Sequence, residues 1–175
     1  MSASPGKMLV SVGENCACIK LIGKANCTST PEFQALFTEL WKQGCRHFVL
    51  DLSECAFMDS TFLGILAWAG LKVNPSPPDK DERVVELYNP TANIADLIES
   101  LGVLHLFQVT QGQASLPAGG ETREITPAQP TSEACKRTSL AAHQLLIHIN
   151  PANAAKFKDV VTFLAEDLKK LKPGV

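Results

Sequence analysis

The amino-acid sequence predicts an α/β domain on a largely parallel or mixed sheet, followed by a helical extension. Three observations lead there. Short apolar runs of strand character alternate with amphipathic helical segments, in the order strand, strand, helix, strand, helix, strand, helix, strand. Helices placed between strands call for right-handed crossovers, and hence for parallel neighbours. From Thr110 onward the composition changes, and two further helical patterns close the chain.

The elements follow in order. "MLVSV" and "CACIKLIG" are apolar runs split by Gly13, Glu14 and Asn15, which predicts a hairpin. In "STPEFQALFTELWKQG", Ser29 and Glu32 have capping-box spacing and Pro31 falls in the first turn. Phe33, Leu36, Phe37, Leu40 and Trp41 recur at helical spacing, and Gly44 ends the helix. "RHFVLDLS" is a strand ending near Ser53, with Phe48, Leu50 and Leu52 on one face and His47, Val49 and Asp51 on the other. Residues 54–58 form the connection, with Phe57 and Met58 tucked in. The next helix runs from about Ser60 to Leu71, with Leu63, Leu66, Ala67 and Gly70 suited to packing on the sheet.

"VNPSPPDKDER" is a polar, proline-rich loop and "VVELY" a strand. In "NPTANIADLIESLG", Asn89 is the expected cap, Pro90 the first helical position, and Ile94, Leu97, Ile98 and Leu101 the buried face. "LHLFQV" is the last expected strand. Residues 111–131, rich in Gly, Pro, Ser and Thr, read as an exposed linker or edge segment. Residues 132–175 form the helical extension: one helix over 133–149, then Asn150 and Pro151 capping a second. In that second helix Phe157, Val160, Val161, Leu164, Leu168 and Leu171 make an amphipathic stripe. The expected division is thus 1–110, 111–131 and 132–175.

Composition narrows the function. At 175 residues and 45% hydrophobic, the chain has enough apolar material for the core of one domain. A net charge of −2 leaves no general basic footprint, so no direct nucleic-acid partner is expected. No apolar run approaches the roughly 18 residues of a membrane span, and the start of the chain carries no secretory pattern. Six cysteines in such a chain read as reduced thiols of a cytoplasmic protein. Cys16, Cys18, Cys27, Cys45 and Cys55 form no C-x-x-C pair, so no metal is expected. No phosphate-loop motif is present, and no cofactor is expected. Residues 1–130 hold 9 Lys/Arg and 14 Asp/Glu, a net −5, and residues 131–175 hold 7 and 4, a net +3. The extension either docks on its own acidic domain or an acidic partner, or is a solvated helical hairpin.

The segment "DLSECAFMDSTFLGIL" concentrates the chemistry. Asp59 or Ser60 is the expected helix cap, and the free amides of Thr61, Phe62 and Leu63 with the helix dipole favour an anion there. Gly64 lets another backbone or side chain approach closely. A phosphate on Ser60 would add about −1.5 to −2 charges at this tip. It would leave the fold standing and repel an acidic or apolar partner surface. A hydrolase built on Ser60 finds no G-x-S-x-G. His47, His105, His143 and His148 lie at positions that indicate no base for it.

Residues from about 8 to 109 resemble the STAS domain, and above all the bacterial anti-sigma factor antagonists. Asp51, Leu52, Phe57, Met58, Asp59, Ser60, Thr61, Leu63, Gly64 and Leu66 fit the family pattern. "LIGKAN" is similar to its glycine-containing segment and "LIESLGVLHLF" to its last helix and strand. The resemblance implies a mixed four- to five-stranded sheet with helices mainly on one face, and a regulatory role rather than catalysis. It implies Ser60 as phosphoacceptor for a serine-kinase anti-sigma factor, with a phosphatase reversing the mark. Asp59, Thr61, Phe62, Gly64 and Asn26 are then the partner-binding residues. Two positions depart from the pattern: Phe62 stands where many members have Gly, and Asn26 replaces an Asp. A stressosome-like or non-phosphorylated scaffold is the alternative, a serine hydrolase the second alternative, and the oligomeric state is open.

Overall fold

The computed structural model describes residues 6–73, 84–113 and 121–171. Its elements are β1 (Lys7–Val12), β2 (Cys16–Ala25), α1 (Thr30–Lys42), β3 (His47–Met58), α2 (Ser60–Val73), β4 (Val84–Tyr88), α3 (Ala92–Ser100), a 3-10 turn at Leu104–Leu106, β5 (Gln108–Thr110), β6 (Thr122–Ile125), α4 (Ser132–Ile149) and α5 (Asn153–Leu171). Beyond Val73, the proline-rich loop expected before β4 lies outside the described residues.

The strands form one mixed sheet in the order β5-β4-β3-β2-β1-β6. β2 through β5 are parallel neighbours, and β1 is antiparallel to both β2 and β6. The expected α/β class stands, but the described sheet has six strands rather than four or five. The sixth lies in the segment read as linker. Thr122–Ile125 has little apolar character; β1 offers it a free backbone edge, and Ser11 and Thr122 join their hydroxyls at 2.9 Å across that pair. β3 also runs five residues past Ser53, to Met58, with register shifts against β2 after Lys20 and Gly23. The connection expected over 54–58 is therefore strand. Met58 is buried, as expected, but Phe57 stands half exposed. The last expected strand is shorter than "LHLFQV", because Leu104–Leu106 coil into the 3-10 turn.

Alternation along the strands sets the core. Met8, Val10, Ala17, Ile19, Leu21, Phe48, Leu50, Leu52, Val85 and Leu87 join one apolar cluster with α1, α2 and α3. Their neighbours Leu9, Ser11, Cys18, Lys20, Asp51 and Ser53 face an open cavity of about 590 Å³. Burial, with Asp51 next in effect, pushes the Cys18 thiol up to about 11, so it stays protonated. All six cysteines are free thiols.

Two expected caps are replaced. Ser29 precedes α1 but makes no cap bond; its hydroxyl donates to the Lys24 carbonyl, while Glu32 accepts the Ala128 amide. α3 is capped by Thr91, which accepts the Ile94 amide, and not by Asn89. Asn89 takes a left-handed turn (φ 54°) and exchanges hydrogen bonds with Gly112, tying the ends of β4 and β5 together.

α4 and α5 form an antiparallel hairpin, closed by the Lys136–Asp167 ion pair and the His143–Phe157 edge contact (centroids 4.6 Å apart). Buried Asn153 donates to the carbonyls of Leu101 and Leu146, pinning the hairpin bend to the end of α3. The hairpin is not merely solvated: α4 lies along α2, with Ala142 and Leu146 in the core cluster.

Candidate functional site

The site is built where β3 hands over to α2. The Asp59 amide donates to the Ala25 carbonyl at 3.1 Å, which ties the helix start to the end of β2. Asp59 is the cap: its Oδ1 accepts the Phe62 amide at 2.8 Å, and its carbonyl accepts the Leu63 amide. Burial raises the carboxyl above its ordinary value, opposed by the Phe62 amide and by His143. The first-turn amides expected to be free for an anion are thus already engaged by Asp59, which fills the anion position itself.

Ser60 follows, half-buried, and its hydroxyl is not free. Ser60 Oγ lies 2.7 Å from His143 Nε2, contributed by α4. His143 Nδ1 is 2.6 Å from the Ser139 carbonyl, which can only accept, so Nδ1 carries a hydrogen; in the neutral imidazole Nε2 then accepts from Ser60. Beside it, Thr61 and Ser139 share a hydroxyl–hydroxyl bond of 3.0 Å. One turn on, Gly64 meets Ala142: a Cβ at Gly64 would stand 2.6 Å from the Ala142 Cβ and 2.8 Å from its carbonyl oxygen. The close approach that Gly64 allows is to the chain's own extension.

Other site residues are placed differently. Phe62 is fully buried, its ring centroid 5.2 Å from that of Phe33, so it is core and cannot meet a partner directly. The absence of a ring at the surface follows from helix geometry: the position after Thr61 points down onto the sheet. Asn26 closes the turn after β2, where its Oδ1 accepts from both the amide and the hydroxyl of Thr28. The neighbouring Cys27 joins Asp59, Thr61, Cys135 and Ser139 around a shallow cavity of about 400 Å³ at the seam with α4. Burial, and next the Cys135 thiol, push Cys27 up to about 12, so it too is a neutral thiol.

His143 is the residue that sequence reasoning missed, since it lies 83 positions from Ser60. A signal was present: Cys135, Ser139, Ala142 and His143 make a small and polar stripe at helical spacing, matching Ser60, Thr61 and Gly64 on α2. The sequence indicates no base for Ser60, and the structure supplies one: His143 Nε2 stands 2.7 Å from its hydroxyl. Among the described residues, no group of three or more His, Cys, Asp or Glu is gathered to hold a metal. No described helix is long and apolar enough to cross a membrane.

The family model for the STAS domain matches residues 7–115. Among solved structures, the chain is similar to the unphosphorylated form of the anti-sigma factor antagonist SpoIIAA. The identity is 14% and the TM-score 0.50, over 64% of this chain and 89% of that one. A structure of the Bacillus cell fate determinant SpoIIAA in the phosphorylated form matches at 13% identity and TM-score 0.48, over 64% and 92%. At these identities the likeness is one of fold. No curated protein matches the chain. The family match ends before α4 begins, so the hairpin over Ser60 lies outside it.

Proposed function

The chain belongs to the STAS domain family, and from that premise we propose that it is a protein-binding switch of the anti-sigma factor antagonist kind. In this reading the first turn of α2 is the docking face, with Asp59 at its tip, Thr61 and Gly64 buried beneath α4 and reached only when α4 is off them, and Asn26 shaping the adjoining turn. Ser60 is the phosphoacceptor, a serine-kinase anti-sigma factor is the partner, and a phosphatase reverses the mark. The division into residues 1–110 as the switch domain, 111–131 as connector and 132–175 as appendage, and a cytoplasmic setting, belong to the same proposal.

The observation that carries it is the position of Ser60 at the Asp59-capped tip of α2, on the rim rather than in the core. A phosphate there sets two negative groups side by side and alters the surface a partner meets, while the sheet and the apolar cluster beneath stay intact. The test uses the full chain, Ser60→Ala and Ser60→Asp as baits, followed by incubation of the captured serine kinase with ATP. Phosphate is expected on Ser60 of the wild type and absent from Ser60→Ala. Phosphate on another residue, or on none, overturns the reading.

One observation favours a second reading, a serine hydrolase. Ser60 and His143 make a nucleophile–base contact with the correct tautomer. It ranks lower because His143 is only 5% exposed and its Nδ1 faces a backbone carbonyl rather than a carboxylate. Labelling of Ser60 by a fluorophosphonate, abolished in His143→Ala, would favour it over the switch.

A further inference from the structure

We propose that the α4–α5 hairpin is an autoinhibitory latch: it occupies the docking face of its own STAS domain and shields Ser60 until it swings away. The inference rests on the proposed switch and adds its regulation. Three contacts carry it, each between α2 and α4. Ser60 Oγ is held by His143 Nε2 at 2.7 Å, Thr61 by Ser139 at 3.0 Å, and Gly64 is closed off by Ala142. The groups a partner would need are the groups the hairpin takes. A phosphoryl group on Ser60 Oγ must displace the imidazole or turn away and forfeit its bond. Modification therefore removes one of the three contacts that hold the hairpin closed.

The seam has the chemistry of a contact that opens. Its upper part pairs hydroxyls and an imidazole, all of which water can satisfy on release, so parting them leaves no orphaned donor. The seam is mixed, since below these polar pairs it buries Ala142 and Leu146 in the apolar cluster, and mixed interfaces within one chain are those expected to move. The connector is short of anchoring: among residues 126–131 only Pro127 and Pro130 are partly covered and the other four are exposed, and the Ala128 amide is held by an exposed bond to Glu32. The net +3 of residues 131–175 against the net −5 of the rest favours closure without adding apolar area. A latch of this sort lowers the apparent affinity of a partner by the fraction of time the face is open.

The test uses the full chain and the variant Ala142→Glu, which places a charge in the seam from the α4 side and leaves every STAS residue untouched. Gln144→Glu, at an exposed position of the same helix, adds the same charge outside the seam. Hydrogen exchange is read for residues 60–66 and for β2 and β3. The expected result is faster exchange over 60–66 in Ala142→Glu alone, with the sheet unchanged. The kinase captured above should bind that variant about 5- to 150-fold more tightly than the wild type. Loss of protection in the sheet together with α2 overturns the latch, because the hairpin is then part of the core. Unchanged exchange, or equal kinase binding by the open variant and the wild type, overturns it as well. If exchange opens as expected but no serine kinase is captured by any of the proteins, the latch stands and the sigma-factor reading falls.

Discussion

Gly64→Ala separates the two halves of the account by putting one methyl group between them. On α2 the change is favourable, since Ala exceeds Gly in a helix interior by about 1 kcal/mol. At the seam it is not: the new Cβ would stand 2.6 Å from the Ala142 Cβ and 2.8 Å from its carbonyl oxygen, and one of these is backbone that cannot swing aside. Overpacking of this kind costs about 1–3 kcal/mol. With α4 in place, the balance is a loss of about 1 kcal/mol. With α4 released, the helix gain survives and the cost disappears. The substitution thus shifts the equilibrium toward the open hairpin by up to about 3 kcal/mol while leaving the sheet as stable as before. Amide exchange followed by mass spectrometry reads both parts in one sample. Protection should fall over residues 60–66 and 135–146 and persist over β2, β3 and β4. A variant whose α4 retains full protection, or whose sheet melts along with it, would refute the reasoning.

Three further outcomes follow from the contacts around the start of α2. Phe62→Ala removes a fully buried ring packed on Phe33 and should cost about 3–5 kcal/mol, lowering the melting temperature by roughly 10 °C or more. A surface role would leave it almost unchanged, and calorimetry decides between them. Asp59→Asn keeps a cap of equal rank but removes a carboxylate that burial holds above its ordinary pKa of 3.8. Because the folded value is raised, ionisation opposes folding. The wild type should therefore gain stability relative to Asp59→Asn as the pH falls from 7 through the raised value toward 3.8. Urea titrations across that window check the sign, and a gap that widens against the wild type contradicts it. Ser60→Ala gives up the His143 bond without adding charge, so it should fold normally and show modestly faster exchange over 60–66 than the wild type.

Much of the fold was legible because local patterns and tertiary packing agree. The β1–β2 hairpin, the Phe33–Leu40 face of α1 and the Phe48–Leu50–Leu52 face of β3 are all carried by periodicity. The misses share a physical cause. β6 is a strand because β1 had an open edge, which no feature of "TREI" announces. Asn89 looked like a cap and became a left-handed turn because Thr91, two positions later, caps better and Gly112 is within reach. In the site, Asp59, Ser60, Thr61 and Gly64 were legible as a helix start, while Phe62 was misplaced because its face on α2 is fixed by the sheet. His143 was harder to reach: the small and polar stripe on α4 is readable, but which element it meets depends on how a hairpin outside the family pattern folds back.

The most direct test of the central claim is the affinity of the captured serine kinase for Ser60→Ala and Ser60→Asp in the full chain, measured by calorimetry beside a thermal melt of each. Both proteins should melt cooperatively at closely similar temperatures, and the aspartate should bind about 100-fold or more weakly, as expected when like charges meet across an interface. Equal affinities for the two would mean that charge at the tip of α2 does not gate docking.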